Sequence, residues 1–259
     1  MSEFQIGLLG IVFLFLLLAS SMPVAFAMTL VGLVGFAVVV NVPAALNVMV
    51  TDYYDVFSSY GLTVIPLFVF MGQVAFHTGV SKKLFDAAHC WFGWLRGGLA
   101  MSTVGACTAF GAICGSGPAT AATMAAVALP EMKRYKYHPG FAAGTVAASG
   151  GIGMMIPPSV VFIVYGVMTE QSIGKLFVAG IVPGLLIAAM FMATIGLLCT
   201  FRPGLAPAAT GATWRERFRS LAGVGEILAL FALVMGGMFA GWFTPTEAAA
   251  VGAAGSVAI

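Results

Sequence analysis

GLAMSTVGACTAFGAICGSGPATAATMAAVAL, residues Gly98–Leu129, decides the fold. Its residues are small and apolar, and it carries no charge. Two basic clusters bracket it, Lys82, Lys83 and Arg96 before and Lys133, Arg134 and Lys136 after. Basic connections of a membrane protein collect on the cytoplasmic side, so both ends of the segment face the same side and the chain must enter the bilayer and return. Two arms of about 15 residues reach only about 22 Å each at the helical rise, short of the roughly 30 Å of hydrocarbon. The spacing predicts a re-entrant helical hairpin over 98–132, with its tip at Cys114-Gly115-Ser116-Gly117-Pro118.

The rest of the chain agrees with an apolar solvent. Of its 259 residues 61% are hydrophobic and 8% charged, with a mean hydropathy of +1.05, whereas soluble domains carry roughly 25% charge. Several stretches are long enough to cross a bilayer as helices, and none alternates as an outer-membrane strand does. The fold class is therefore all-α, a polytopic membrane protein with the lipid bilayer as its partner. Phe4–Ala19 lacks the basic flank of a signal peptide, its nearest charge being Glu3, and reads as a retained helix. Cys90, Cys107, Cys114 and Cys199 have no metal-ligand spacing. A net charge of +2 gives no reason to expect nucleic acid as a partner.

A third basic cluster, Arg202, Arg215, Arg217 and Arg219, completes the expected topology. Three transmembrane helices occupy 1–80 (Phe4–Ala19, Val24–Val40 and Phe57–Phe76), and the N-terminus faces the periplasm. An interfacial amphipathic helix covers 81–97, mixing Asp86, His89 and Arg96 with Phe85, Trp91, Phe92 and Trp94. After the hairpin come a broken helix with its return helix (139–201), a cytoplasmic basic loop (202–220) and the start of a second repeat (221–259). Pro245-Thr246-Glu247-Ala248-Ala249-Ala250 echoes Pro23-Val24-Ala25-Phe26-Ala27, and the five crossings before it, an odd number, invert the second copy. Inverted repeats are a recurrent plan of secondary transporters. The offset from Pro23 to Pro245, 222 residues, predicts about 440 in all, with a second hairpin after Ile259. On that reading this chain alone is not expected to transport.

At the hairpin tip glycine suits the end of one helix, while serine and proline suit the start of the next. Carbonyls at Gly115 then offer partial negative charge to a cation, and the amides of Gly117 and its neighbours offer partial positive charge to an anion. The hydroxyls of Ser116, Thr120 and Thr123, with Pro118 at the first turn, complete this half of the expected site. A second break at Ser149, Gly150, Gly151 and Gly153, continuing through Pro157, Pro158 and Ser159, adds further carbonyls, because broken helices at membrane depth survive where they line a cavity. Sodium with a small organic anion is the natural pair, with sodium at Gly115, Ser116 and Ser149 as coupling ion and no other cofactor.

Plainer readings stand beside this one. The tip would also serve as a small-residue packing seam, and Pro157-Pro158 as a bare kink. Thr63 and Pro66 fit a proline-bent helix, and Tyr165 and Thr169 fit interfacial anchors. No charge falls in mid-span, which disfavours a proton relay. A serine protease built on Ser116 would need a histidine at similar depth, and His77, His89 and His138 all lie at helix ends, so no enzyme is expected. A channel or purely structural subunit is the alternative.

At "AICGSGPATAAT" (Ala112–Thr123), "GGIGMMIPPSVVFIVYG" (Gly150–Gly166), "QSIGKLFVAGIVPG" (Gln171–Gly184) and "GWFTPTEAAAV" (Gly241–Val251), with "IPLFVFMG" (Ile65–Gly72) agreeing, the sequence resembles the large membrane subunit of tripartite ATP-independent periplasmic (TRAP) transporters. The resemblance covers essentially the whole chain, which is shorter than that family's members. It implies an elevator-type, sodium-driven carrier of carboxylates such as C4-dicarboxylates or sialic acid in the bacterial inner membrane. It also implies two partners, a periplasmic substrate-binding protein and a small four-helix membrane subunit. The family's hairpin tip falls on Gly115–Thr123 and its unwound helix on Ser149–Ser159.

Overall fold

In the computed structural model, which describes residues 3–207 and 212–258, every regular element is helical. Residues 208–211 of the expected basic loop and Ile259 lie outside the described residues. The helices fall into two units, 1–60 and 61–259.

The first unit holds α1 (Glu3–Ala19), α2 (Val24–Val39) and α3 (Val42–Ser58), with α2 packing against both neighbours. The first two match the expected helices. The third differs from the sequence reading, which left 41–56 as a connection. It forms because Asn41 caps it, accepting from the Ala44 N–H at 2.8 Å, with a proline in the first turn, where proline is preorganised. Asn47, Asp52 and Asp55 lower its hydropathy without lowering its helicity. A hydroxyl contact of 3.1 Å between Thr29 and Tyr53 ties α3 to α2.

After a 3-10 turn at Tyr60–Thr63, the second unit's first helix is α4 (Val64–His77). The expected span at Phe57–Phe76 thus begins later than predicted. Next come α5 (Val80–Phe92), α6 (Gly98–Cys114), α7 (Gly117–Arg134), α8 (Pro139–Gly150), α9 (Val160–Met168) and α10 (Ile173–Phe201). Helix α5 is amphipathic as expected, burying Val80, Leu84, Phe85 and Ala87 while Lys82, Lys83 and Asp86 stay exposed. At the centre lies α6, buried along nearly its whole length and touching α4, α5, α7, α8 and α10. A helix apolar on every side has no solvent face and belongs inside. Helix α10, 29 residues long and strongly apolar, is long enough to cross a membrane, as is the stretch Tyr60–His77.

The last three helices are α11 (Trp214–Ala222), α12 (Gly225–Phe239) and α13 (Pro245–Ala258). Here the structure corrects the loop expected over 202–220. Glu216 Oε2 accepts from the Thr213 N–H at 2.8 Å while its own N–H donates to Thr213 Oγ1 at 3.4 Å, a reciprocal cap that starts α11. A bend of 58° separates α11 from α12, so the apolar helix expected from Leu221 starts at Gly225 instead. Thr244 and Glu247 repeat the same cap before α13, which packs on α4 and α12.

Candidate functional site

Helix α6 ends because Gly115 turns left-handed, at φ 64°, a conformation that costs residues with a Cβ roughly 1–2 kcal/mol. Its N–H still closes the last turn onto the Gly111 carbonyl at 2.8 Å. Helix α7 starts at once. Ser116 is its N-cap, accepting from the Ala119 N–H at 3.5 Å, and Pro118 follows in the first turn.

The second break is longer. After α8 the chain makes a 3-10 turn, Gly151–Met154, passes through a cis Pro157–Pro158 peptide and resumes at Ser159, the N-cap of α9. The wholly buried Ser159 hydroxyl donates to the Met154 carbonyl at 2.6 Å and accepts from the Phe162 N–H at 3.5 Å.

The two breaks touch. The Val160 N–H donates to the Gly115 carbonyl at 3.2 Å, and a Cβ on Gly115 would collide with the Pro158 carbonyl oxygen. Gly111 meets Gly153 so closely that a Cβ on the first would stand 2.5 Å from the Cα of the second. Met154 lies over Gly117, and Gly150 abuts Ala121. The C-terminus of α6 and the N-termini of α7 and α9 thus converge on one junction, placing a carbonyl-rich end beside two amide-rich ends.

One oxygen at this junction is poorly satisfied. Thr120 is fully buried, and its Oγ1 has no oxygen or nitrogen partner, its polar neighbour being the weakly bonding Cys114 thiol. It faces Gly153, where an added Cβ would stand 2.6 Å from it. Leaving a buried hydroxyl unsatisfied costs about 1–3 kcal/mol, so this oxygen is suited to a guest.

Not every expected residue joins this centre. Gly115, Gly117, Thr120, Gly153, Pro158 and Ser159 do. Ser116 caps the junction half-buried, while Pro118 is exposed and Gly151 has open space beside it. Thr123 instead lines a cleft of about 220 Å³ with Gly72, Gln73, Phe110 and Cys114. The side chain of Ser149 opens onto a different cleft, of about 290 Å³, beside Phe191 and Ile195 of α10. Sequence reasoning missed Gly111 and Val160. Gly111 could have been found, since it precedes Gly115 by one helical turn and so shares its face; the hydrogen bond from Val160 left no local signal. Of the histidines, His77 Nδ1 lies 2.9 Å from the Gln73 carbonyl, whereas His89 Nδ1 is buried beside Gly93 with no hydrogen-bond partner.

A family model described as the DctM component of the tripartite ATP-independent periplasmic transporter matches residues 11–259. The C4-dicarboxylate TRAP transporter large permease protein DctM of Pseudomonas aeruginosa is 39% identical over 211 residues, covering 82% of this chain and 49% of that protein. The sialic acid TRAP transporter large permease protein SiaM of Vibrio cholerae is 34% identical over 235 residues, or 91% and 54% of the two chains. The isethionate TRAP transporter permease protein DctMQ of Oleidesulfovibrio alaskensis is 36% identical over 245 residues, or 92% and 37%. The chain spans about half the length of the curated relatives it matches. With its two touching helix breaks and this match over nearly all its length, the chain belongs to the DctM component family of tripartite ATP-independent periplasmic transporters.

Proposed function

We propose that this chain forms part of a sodium-coupled carrier for a small organic anion in the bacterial inner membrane. It moves its cargo by an elevator-type displacement and works with a periplasmic binding protein and a small four-helix subunit. The observation that carries the proposal is the junction of three helix ends around Gly115, with the Thr120 hydroxyl buried inside it and lacking any oxygen or nitrogen partner. Carbonyl oxygens with the hydroxyls of Ser116 and Thr120 suit sodium, and the amide ends of α7 and α9 suit an anionic group. The carbonyl of Gly115 keeps one lone pair after accepting from Val160, and the backbone from Ser149 to Gly153 supplies further acceptors. The relatives' names include C4-dicarboxylate, sialic acid and isethionate, all small organic acids, and the cargo proposed here is of that class.

In this reading helices α6 and α7 are a re-entrant hairpin whose ends face the cytoplasm, the N-terminus is periplasmic, and α13 opens an inverted second repeat. The test uses the full-length protein that carries this sequence, reconstituted with its partners in vesicles. An inward sodium gradient should drive accumulation, and a potassium gradient of equal size should not. Uptake that merely equilibrates, whatever the gradient, would assign the protein to the channels instead. Orientation has its own test, since cysteines at Lys82 and Lys133 should resist an impermeant thiol reagent in intact cells while one at Glu170 reacts.

A further inference from the structure

Helices α5 and α11 pack together through an aromatic cluster. Trp91 meets Phe218 edge-on at 6.2 Å, and Phe218 stacks on Trp214 at 6.4 Å. The Arg217 guanidinium lies 4.8 Å from the Trp214 ring and 5.8 Å from that of Trp94. These rings are not in a core. Trp94, Trp214 and Phe218 are 52%, 66% and 63% exposed. Three of the chain's four tryptophans gather at this exposed spot, as aromatic residues do where headgroups meet hydrocarbon.

The charges around the cluster are unanswered. Arg96 follows Trp94 by two residues, and Arg215 and Arg219 sit one turn apart on α11, all exposed. Among the described residues the one ion pair is that of Arg134 with Glu131, elsewhere in the chain. Within the cluster, Arg217 Nε and Trp91 Nε1 are buried with no hydrogen-bond partner. Guanidinium and indole groups donate and never accept, so what completes this surface must be an acceptor and should be anionic. Arginine's planar fork fits phosphate oxygens in pairs, and the neighbouring rings call for an apolar body attached to that phosphate.

We infer that α5 and α11 together form a binding surface for an anionic phospholipid of the cytoplasmic leaflet, its phosphate held by Arg215 and Arg219 and its glycerol and upper acyl chains laid against Trp94, Trp214 and Phe218. The inference rests on the reading of this chain as a membrane-embedded carrier with its basic connections on one side. Lipid retention and sodium-driven uptake are separate measurements, so either can fail alone.

The test places the full-length protein in micelles containing equimolar phosphatidylglycerol and phosphatidylcholine, and counts bound lipid by native mass spectrometry. Wild type should retain phosphatidylglycerol with a preference of about tenfold, as basic residues on an amphipathic helix confer. Arg215→Gln/Arg219→Gln should reduce that preference to less than about twofold, with unchanged tryptophan emission showing that the cluster still packs. Arg215→Lys/Arg219→Lys should keep most of it, and Lys133→Gln/Lys136→Gln, in a basic connection without tryptophan, should keep all of it. Equal retention of the two lipids by wild type overturns the proposal, as does an equal loss in the Lys133 variant. Displacement of the lipid by inorganic phosphate also overturns it. So does a double variant that keeps its lipid but sheds a co-purifying membrane protein, because the surface would then be a protein contact.

Discussion

The break at Gly115 and Ser116 and the break from Gly151 to Ser159 both restart a helix with a serine cap, yet they use the hydroxyl differently. Ser159 is sealed in the interior, and its hydroxyl already donates to Met154 and accepts from Phe162. Ser116 is half-buried, with a single long acceptance from Ala119. The long break is therefore held by a side chain, and the short one by the backbone conformation of Gly115. A hydroxyl spent on structure is a poor ligand, whereas one with spare lone pairs can bind a guest. On the proposed reading, the side-chain ligand comes from the short break, and the long break contributes backbone groups only.

Substituting the glycine that sets the short break gives the largest expected effect. Gly115→Ala would impose a Cβ at φ 64° and drive it into Pro158. The left-handed conformation and the overpacking together should cost about 2–5 kcal/mol. We expect a large fall in melting temperature in detergent and loss of uptake by the full-length protein. Gly151→Ala is the matched control in the long break, where nothing lies within 4 Å of the added carbon. It should be neutral or slightly stabilising. If both variants melt alike, the two breaks are not in contact as described.

The two serines come next. Ser159→Ala removes a cap and orphans the Met154 carbonyl, a loss of about 1–2 kcal/mol, and should leave the sodium dependence of uptake unchanged. Ser116→Ala gives up only a long cap bond, so its melting temperature should fall less. It should however shift the sodium concentration for half-maximal uptake upward, and the apparent substrate affinity should weaken with it, because linked binding is reciprocal. Normalised sodium curves that superimpose for wild type and Ser116→Ala, measured at equal abundance, would remove Ser116 from the ion site.

The contrast between the breaks also marks how far the sequence could be read. Both were legible, because glycine, serine and proline act locally through φ and capping, and those local rules placed a helix break at Gly115 and Ser116. Helix α3 was not legible from hydropathy, since Asn47, Asp52 and Asp55 masked a helix that Asn41 and Pro43 start. Helix α11 was hidden in a basic loop for the same reason, although Thr213 and Glu216 carried the spacing of a capping box. The membership of the site was only half legible. Thr120 and Thr123 lie three apart on α7, near enough to suggest one face, yet Thr120 packs against Gly153 in the turn after α8 while Thr123 lines the cleft beside Gly72. Separations of that kind are set by distant chain segments and leave no trace in local spacing.

The smallest expected effect extends the comparison to a third cap. The serine caps at the two breaks contain no acidic or basic group, whereas the cap of α11 contains Glu216. Hydrogen bonds from the Thr213 N–H and hydroxyl hold the Glu216 carboxyl below its ordinary value of 4.5. A carboxylate with a depressed folded pKa contributes stability that is fully present above the unfolded value and is lost as pH falls through the folded one. The cap should therefore be indifferent between pH 7 and 5 and weaken below about 4.5. Because this carboxylate is fully exposed, water and salt screen it and the effect should be slight. Hydrogen exchange localises it: amides 213–217 should lose protection in acid, while those of 117–120 and 160–163, behind the serine caps, keep theirs. Glu216→Gln retains an oxygen to accept from Thr213 and should flatten the acid response of α11 alone. Asp86 and His89 on the neighbouring α5 titrate in both proteins, so their contribution cancels in the difference. Identical acid profiles for wild type and Glu216→Gln at residues 213–217 would mean that the α11 cap, like the two at the breaks, does not depend on charge.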